Sequence, residues 1–264
     1  MLTGMRSATN GKVFAKNCEK KDGPFFCIGC QKELVLKKGM IKVHHFAHKP
    51  PSSCTRGQGE TEKHRECKES IYNMLLTMSN VRDVDIEHDL GGAVADVYAV
   101  INNIPVAIEV QHSSLTVNEI TRRTEQYNKL EVCVLWLSLF DERLLKDRFS
   151  PSAWEKWCHA AYYGRVYYWV SGLDIIPYHF SEYKLYVPEK TWHVSCGDER
   201  SAGGYHKDSK RYRKPLAGQS VNIARDFTHK IKSEWKAKKI HIPECRIYLD
   251  VQSAWWEKTA FTNK

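Results

Sequence analysis

The sequence predicts a mixed α/β fold: one sheet flanked by helices, preceded by a small metal-binding β module and followed by a basic extension. Three observations lead there. Between residues 60 and 139 the apolar pattern runs helix, three strands, helix, strand, the order expected of an α/β core. Two of those strands, "VADVYAVI" and "IPVAIEVQ", are joined by Asn102-Asn103, a pair suited to a two-residue hairpin turn. Ahead of them Cys27 and Cys30 form a Cys-x2-Cys pair, with His45, His48 and Cys54 downstream.

Residues 1–24 are polar, with strand character only at "KVFA". In 25–56, "LVLKKGMIKV" reads as two short strands joined at Lys38-Gly39. The stretch "KPPSSCTRGQG" is a loop broken by Pro50, Pro51, Gly57 and Gly59, and it closes a first unit, 1–58. From Glu60, "ETEKHRECKESIYNMLLTM" sets Cys67, Ile71, Met74, Leu75 and Met78 on one helical side. "VRDVDIEHDL" is a strand, "GGA" a turn, and the hairpin follows. "TVNEITRRTEQYNKL" is a helix starting at Thr116 or Asn118, and "VCVLWLSL" is a buried strand, completing a second unit, 59–150. The third unit, 151–264, opens with a short helix at "PSAWEKWCHAAYYG" and strands at "RVYYWVSG" and "DIIPYHF". Residues 197–219, rich in Gly, Ser, Lys and Arg, read as a flexible loop, and "NIARDFTHKIKSEWKAKK" as a basic amphipathic helix.

Of 264 residues, 42% are hydrophobic and 27% charged, an ordinary globular balance. The first twenty residues hold no signal-peptide core. The longest apolar stretch, "VCVLWLSLF", is half of what a membrane helix needs, ~20 residues. Nine scattered cysteines do not make a secreted disulfide framework. We expect a soluble, cytoplasmic protein without a membrane partner. The net charge of +9 is unevenly spread. Residues 1–70 hold 14 Lys+Arg against 7 Asp+Glu, residues 71–150 hold 7 against 12, and residues 151–264 hold 19 against 12. Basic flanks attract polyanions, nucleic acid first among them, whereas an acidic centre repels phosphate unless cations sit in it.

The acidic centre contains the main chemical signal. Asp96 lies six residues before Asn102 and Glu109 six after Asn103, so a two-residue turn sets them opposite each other. Their Cβ atoms are then about 5 Å apart on one face. Two carboxylates that close inside apolar strands need a shared proton or a cation. Mg²⁺ or Mn²⁺ suits such a site, where it polarises phosphate and activates water. Gln111 follows Glu109 on the same face.

The Cys27/Cys30 pair, His45, His48 and Cys54 offer five candidates for the four places of a structural Zn²⁺. His48 with either His45 or Cys54 completes the set; His44 points the other way in a strand. A segment this short needs a metal to hold it together. Its Lys37, Lys38, Lys42 and Lys49 would then face DNA. In the third unit, Arg200, Lys207, Lys210, Arg211, Arg213 and Lys214 make the loop 200–215 a second DNA-binding candidate, with Arg211, Arg213 and Lys214 the leading residues.

Asp96, twelve intervening residues and Glu109-Val110-Gln111 on a helix-flanked hairpin resemble the PD-(D/E)XK nuclease core, with Gln where Lys is usual; the resemblance implies that Gln111 positions the attacking water. The order "FFCIGC", "HHFAH", a Cys six residues on, "GETEKHRECK", "IEVQHS" and "RRTEQY" resembles the competence protein CoiA family from about Phe25 to Trp136. That resemblance implies a restriction-endonuclease-like sheet with an N-terminal zinc-ribbon-like module, and a metal-dependent DNase acting in competence, recombination or defence. It maps a Glu-x3-His-x3-Lys pattern onto Glu60, His64 and Lys68, with Glu60 a metal or water ligand and the other two on phosphate. Arg123 and Tyr127 match its Arg-x3-Tyr and would hold the scissile phosphate. Glu87 would complete the acidic face. DNA, single- or double-stranded, is the expected partner, with a second copy of the chain or recombination or defence proteins as further ones. The competing expectation is a catalytically inactive DNA-binding protein used in recombination.

Overall fold

The computed structural model describes residues 1–264 apart from 8, 10, 55, 58, 112–114, 195–197, 238–239 and 260–264. Five short strands come first: β1 (Thr3–Arg6), β2 (Gly11–Phe14), β3 (Phe25–Phe26), β4 (Glu33–Lys37) and β5 (His45–His48). They form an antiparallel sheet in the order β2-β1-β3-β4-β5, closed over Phe25, Leu34, Leu36 and Phe46. The hairpin expected at Lys38-Gly39 is displaced. The partner of β4 is His45–His48, in the register Lys37↔His45 to Leu34↔His48. Met40 and Ile41 are left fully exposed.

Helix α1 (Glu62–Leu75) starts where Thr61 accepts the backbone N–H of His64 at 3.3 Å. Its core stripe is Cys67, Ile71 and Leu75, at successive spacings of four; Met74, expected beside them, is 43% exposed. Strands β6 (Val81–Asp89), β7 (Val94–Ile101) and β8 (Ile104–Gln111) follow as antiparallel neighbours. The turn between β7 and β8 is the expected one, with φ of 51° at Asn102 and 64° at Asn103, the signature of a type I′ hairpin. Helix α2 (Val117–Lys129) is capped by Thr116 and leads to β9 (Cys133–Leu139), buried along its whole length and parallel to β8. Trp136 Nε1 donates to Thr124 Oγ1 at 3.1 Å, which fixes α2 on β9.

Residues after 150 continue the same sheet. Helix α3 (Ala153–Ala161) precedes β10 (Val166–Ser171), parallel to β9, and β11 (Asp174–Val187). A hairpin of β12 (Lys190–His193) and β13 (Glu199–Ala202) extends from β11, and β14 (Tyr205–Ala217) returns along it. Then come β15 (Val221–Asn222), β16 (Phe227–Lys232), β17 (Trp235–Ala237), β18 (Ile240–Ile242), β19 (Cys245–Asp250) and α4 (Trp255–Thr259). The large sheet runs β14-β11-β10-β9-β8-β7-β6, with β15 on β11, and β19 joining β9 to β16.

Two expectations for this third are corrected. The described part of the loop 197–219 is mostly strand, because the long edge of β11 supplies hydrogen-bond partners from Tyr178↔Ala217 to Val187↔Tyr205. The amphipathic helix is instead β16 and β17. Phe227, Ile231 and Trp235 recur every four residues, a spacing that satisfies a period of two as well as one of 3.6. The apolar strand β19 decides for pairing. No helix among the described residues is long and apolar enough to cross a membrane.

Candidate metal centre and acidic cleft

Cys27, Cys30, His48 and Cys54 each offer a ligand atom, all within 4.8 Å of one another. Cys27 Sγ lies 4.0 Å from Cys54 Sγ, and Cys30 Sγ 3.3 Å from His48 Nε2. A tetrahedral zinc with Zn–S near 2.3 Å needs S···S separations of about 3.7 Å, so the four residues fit Zn²⁺. The register places His48 here and leaves His45 outside the group; His45 Nδ1 is 2.9 Å from the Val43 carbonyl. Cys54, not His45, completes the set. The Lys32 backbone N–H, with help from His48, draws the Cys30 thiol down to about 6, as a metal-ligating thiolate requires.

The acids gather on β6, β7 and β8. The β7–β8 ladder runs from Ile101↔Ile104 to Val97↔Ile108, one step short of Asp96 and Glu109. On the other side Glu87 falls opposite Asp96, between Ile86↔Val97 and His88↔Ala95. The two-residue turn predicts the Asp96–Glu109 register, not the Glu87–Asp96 one, nor what holds each acid. Lys68, 2% exposed, reaches Glu87 Oε1 at 3.0 Å and Asp96 Oδ1 at 3.5 Å, and pairs with Glu60. His64 Nε2 stands 3.4 Å from Asp96 Oδ2, which also accepts the Val110 N–H at 3.0 Å. His64 and Lys68, expected on phosphate, both line the cleft with their side chains on carboxylates.

Glu87 lines the same cleft, opposite Asp96, and is also bound to the start of the chain. Its carboxylate accepts the N–H groups of Leu2 at 2.7 Å and Thr3 at 3.0 Å and the Thr3 hydroxyl at 2.6 Å, so it ties β1 to the large sheet. Burial pushes it up, but Lys68, the Met1 amino group and Thr3 more than offset this and hold it at about 2. Glu60 precedes the helix and accepts the Met1 amino group at 2.8 Å. Burial raises it too, and Lys68 followed by Met1 leaves it below the usual carboxylate range.

Arg123 and Tyr127, one turn apart on α2, both donate to Glu109 Oε1. Both residues expected on the scissile phosphate thus hold the acid in this structure. Glu109 Oε2 is buried and has no partner among the described residues. Burial, then the charge of Asp96, pushes Glu109 up to about 7 against the pull of Arg123 and Tyr127. Asp96, 21% exposed, goes the opposite way: burial raises it, and Lys68 with His64 brings it well below the carboxylate range. A buried carboxylate oxygen without a partner, beside an ionised carboxylate, is an arrangement that fits a divalent cation. A cleft of about 320 Å³ opens here, lined by Asp96, Gln111, Glu60, His64, Lys68 and Arg56. Arg56 carries no motif, and sequence reading missed it.

The basic candidates divide. Lys37 and Lys42 are exposed around a groove of about 1060 Å³ on the small module, beside Met40 and Ile41. Lys38 is tied to the Cys18 carbonyl at 3.1 Å and to Glu19. Arg213 donates to the Ser209 and Tyr212 carbonyls at 2.6 and 2.8 Å, whereas Arg211 is exposed beside the Tyr212 ring. Lys214 is half exposed, 4.0 Å from Asp147. Five strand spacings, roughly 24 Å of sheet, separate β14 from β7.

Residues 10–56 match the family model for the N-terminal domain of competence protein CoiA, and residues 60–166 that for its nuclease-like domain. Competence protein CoiA of Bacillus subtilis (strain 168) is 29% identical over 123 residues, 46% of this chain and 33% of that protein. The match thus spans about a third of the relative's length. No solved structure matches. With both domain models following one another over the two sites described, the chain belongs to the competence protein CoiA-like family, with a nuclease-like domain.

Proposed function

We propose that the nuclease-like domain is a Mg²⁺- or Mn²⁺-dependent DNase of the PD-(D/E)XK type, acting on DNA in competence or a related recombination or defence process. The observation that carries this is the Asp96–Glu109 pair, with Glu109 Oε2 buried and unpartnered among the described residues. Asp96 and Glu109 would hold the cation, which when bound supplies polarisation of the phosphate and a nucleophilic water. Arg123 and Tyr127 fix Glu109 by one oxygen and so aim the other. Gln111, lining the same cleft, would orient the water by hydrogen bonding. Lys68 is held by Glu60 and Glu87 beside Asp96 and supplies the positive charge that a Lys at 111 would have brought. Zn²⁺ at Cys27, Cys30, His48 and Cys54 is structural in this reading.

The test is cleavage of linear, circular and single-stranded DNA in EDTA, Mg²⁺ or Mn²⁺, with Asp96→Asn and Glu109→Gln beside the wild type. Metal-dependent cutting that both variants lose is expected. Equal cutting by the variants would overturn the assignment. A second reading has one observation in its favour: Gln111 stands where a catalytic Lys is usual. It makes the chain a DNA-binding protein without hydrolysis, and salt-sensitive binding with no cutting in any metal would establish it.

A further inference from the structure

Among the described residues three kinds of cation line the acidic cleft, and one of them has no carboxylate partner. Lys68 is shared among Glu60, Glu87 and Asp96. The Met1 amino group is bound to Glu60. Arg56 has no carboxylate partner among the described residues; its one hydrogen bond runs from Nη2 to the Glu87 carbonyl, at 3.5 Å. A guanidinium carries five N–H donors in a planar fork that matches a phosphate. Most of that capacity is unused here.

Its placement is not accidental. Arg56 sits two residues after the zinc-set residue Cys54 and four before Glu60, so the chain passes from one site to the other through it. It lines the cleft of Asp96 and Gln111 and also the adjoining cleft of His48 and Cys54. Its side chain lies over Gly29, in the turn between Cys27 and Cys30, where a Cβ on that glycine would meet Arg56 Cδ at 3.7 Å and Nη1 at 3.9 Å. The Glu87 carbonyl meets it on the side of the large sheet. An arginine held between two modules and lining a cleft of acids has little to do for the fold, which can discharge one long hydrogen bond with any donor.

We infer that Arg56 is a phosphate-binding site: it takes a backbone phosphate of the nucleic-acid strand that enters the cleft of Asp96 and Gln111, and the Cys/His module holds it there. This rests on the nucleic-acid reading above and names a contact within it. A further consequence follows from the connection: loss of zinc would release the phosphate contact together with the module.

The experiment compares wild type with Arg56→Ala, Arg56→Gln and Arg56→Lys in the full chain. Zinc content and thermal midpoint are measured first. Binding of fluorescent duplex and single-stranded oligonucleotides is then followed across a salt series in Ca²⁺. Arg56→Ala and Arg56→Gln should keep zinc and midpoint, bind more weakly, and lower the slope of log K against log salt by about 0.9 on duplex or about 0.7 on single strands, one phosphate's worth. Arg56→Lys should restore the slope but not the full affinity, since an ammonium lacks the fork. An unchanged slope in Arg56→Gln overturns the inference, and so does a fall in zinc content or midpoint that Arg56→Lys repairs without any change in slope. Should Arg56→Ala fail to fold, the Gln and Lys variants decide. The binding slope does not depend on cleavage. Wild type that binds but never cuts sinks the DNase reading alone, while a wild type that cuts with Arg56→Gln equal in KM and slope sinks this inference alone.

Discussion

Lys68 Nζ lies 3.5 Å from Asp96 Oδ1, on the second turn of a helix that meets the strand edge where the two acids face each other. One ammonium thereby serves Glu60, Glu87 and Asp96, and its own proton is held more firmly than in a free lysine: burial opposes it, but Glu87, Asp96 and Glu60 outweigh the cost. Such a cation is as much part of the fold as of the site.

Replacing Lys68 by Met should therefore destabilise the protein strongly, by about 3–5 kcal/mol, because removing one partner leaves the others' charges buried and uncompensated. Urea unfolding at neutral pH measures it. A loss under about 1 kcal/mol would mean the acids are solvated without Lys68.

Glu87 contributes to the acid sensitivity of the fold. Its folded value, about 2, is below its ordinary 4.5, so the folded state binds fewer protons than the unfolded one between these values. The stabilisation is fully present above the unfolded value and is lost as pH falls through 4.5 towards 2. Glu87→Gln should lose stability at pH 7 and show a flatter stability profile across that window, as read by thermal midpoints in a pH series.

Thr3→Val tests the seam between the two sheets. The variant keeps the shape of a 2%-exposed side chain and deletes the 2.6 Å hydrogen bond to Glu87. A bond to a charged acceptor contributes about 1.5–3 kcal/mol, and chemical denaturation should show a loss of that order.

Zinc analysis separates the histidines. The wild-type chain should bind about one zinc, retained in His45→Ala and lost in His48→Ala and Cys54→Ser. Zinc lost in His45→Ala and kept in Cys54→Ser would reverse the ligand assignment.

On the basic surfaces, Lys37→Gln and Lys42→Gln should each lower the salt slope of DNA binding by about 0.7–0.9 with no change in thermal midpoint. Arg213→Gln should do the reverse, lowering the midpoint, since its guanidinium is spent on the Ser209 and Tyr212 carbonyls.

The amino-acid sequence alone determined what depends on neighbours along the chain. Asn102-Asn103 dictates the turn, the turn dictates the register, and the register puts Asp96 opposite Glu109. Thr116 marks a helix start for an equally local reason, since it caps an N–H three residues on. Only the tertiary structure decided the rest. Whether His45 or Cys54 joins the metal set turned on which residues pair with β4, and pairing is a contact across sequence. Lys68 and Glu87 could not be told from a solvated helix face and an edge-strand acid until β1 was laid against β6 and closed water out. The Lys- and Arg-rich stretch of β14 has a loop's composition and becomes a strand because β11 offers it a full ladder of partners. Local propensity is a weak force beside a hydrogen-bonding edge, and the partner of a buried charge lies wherever the fold brings the opposite sign.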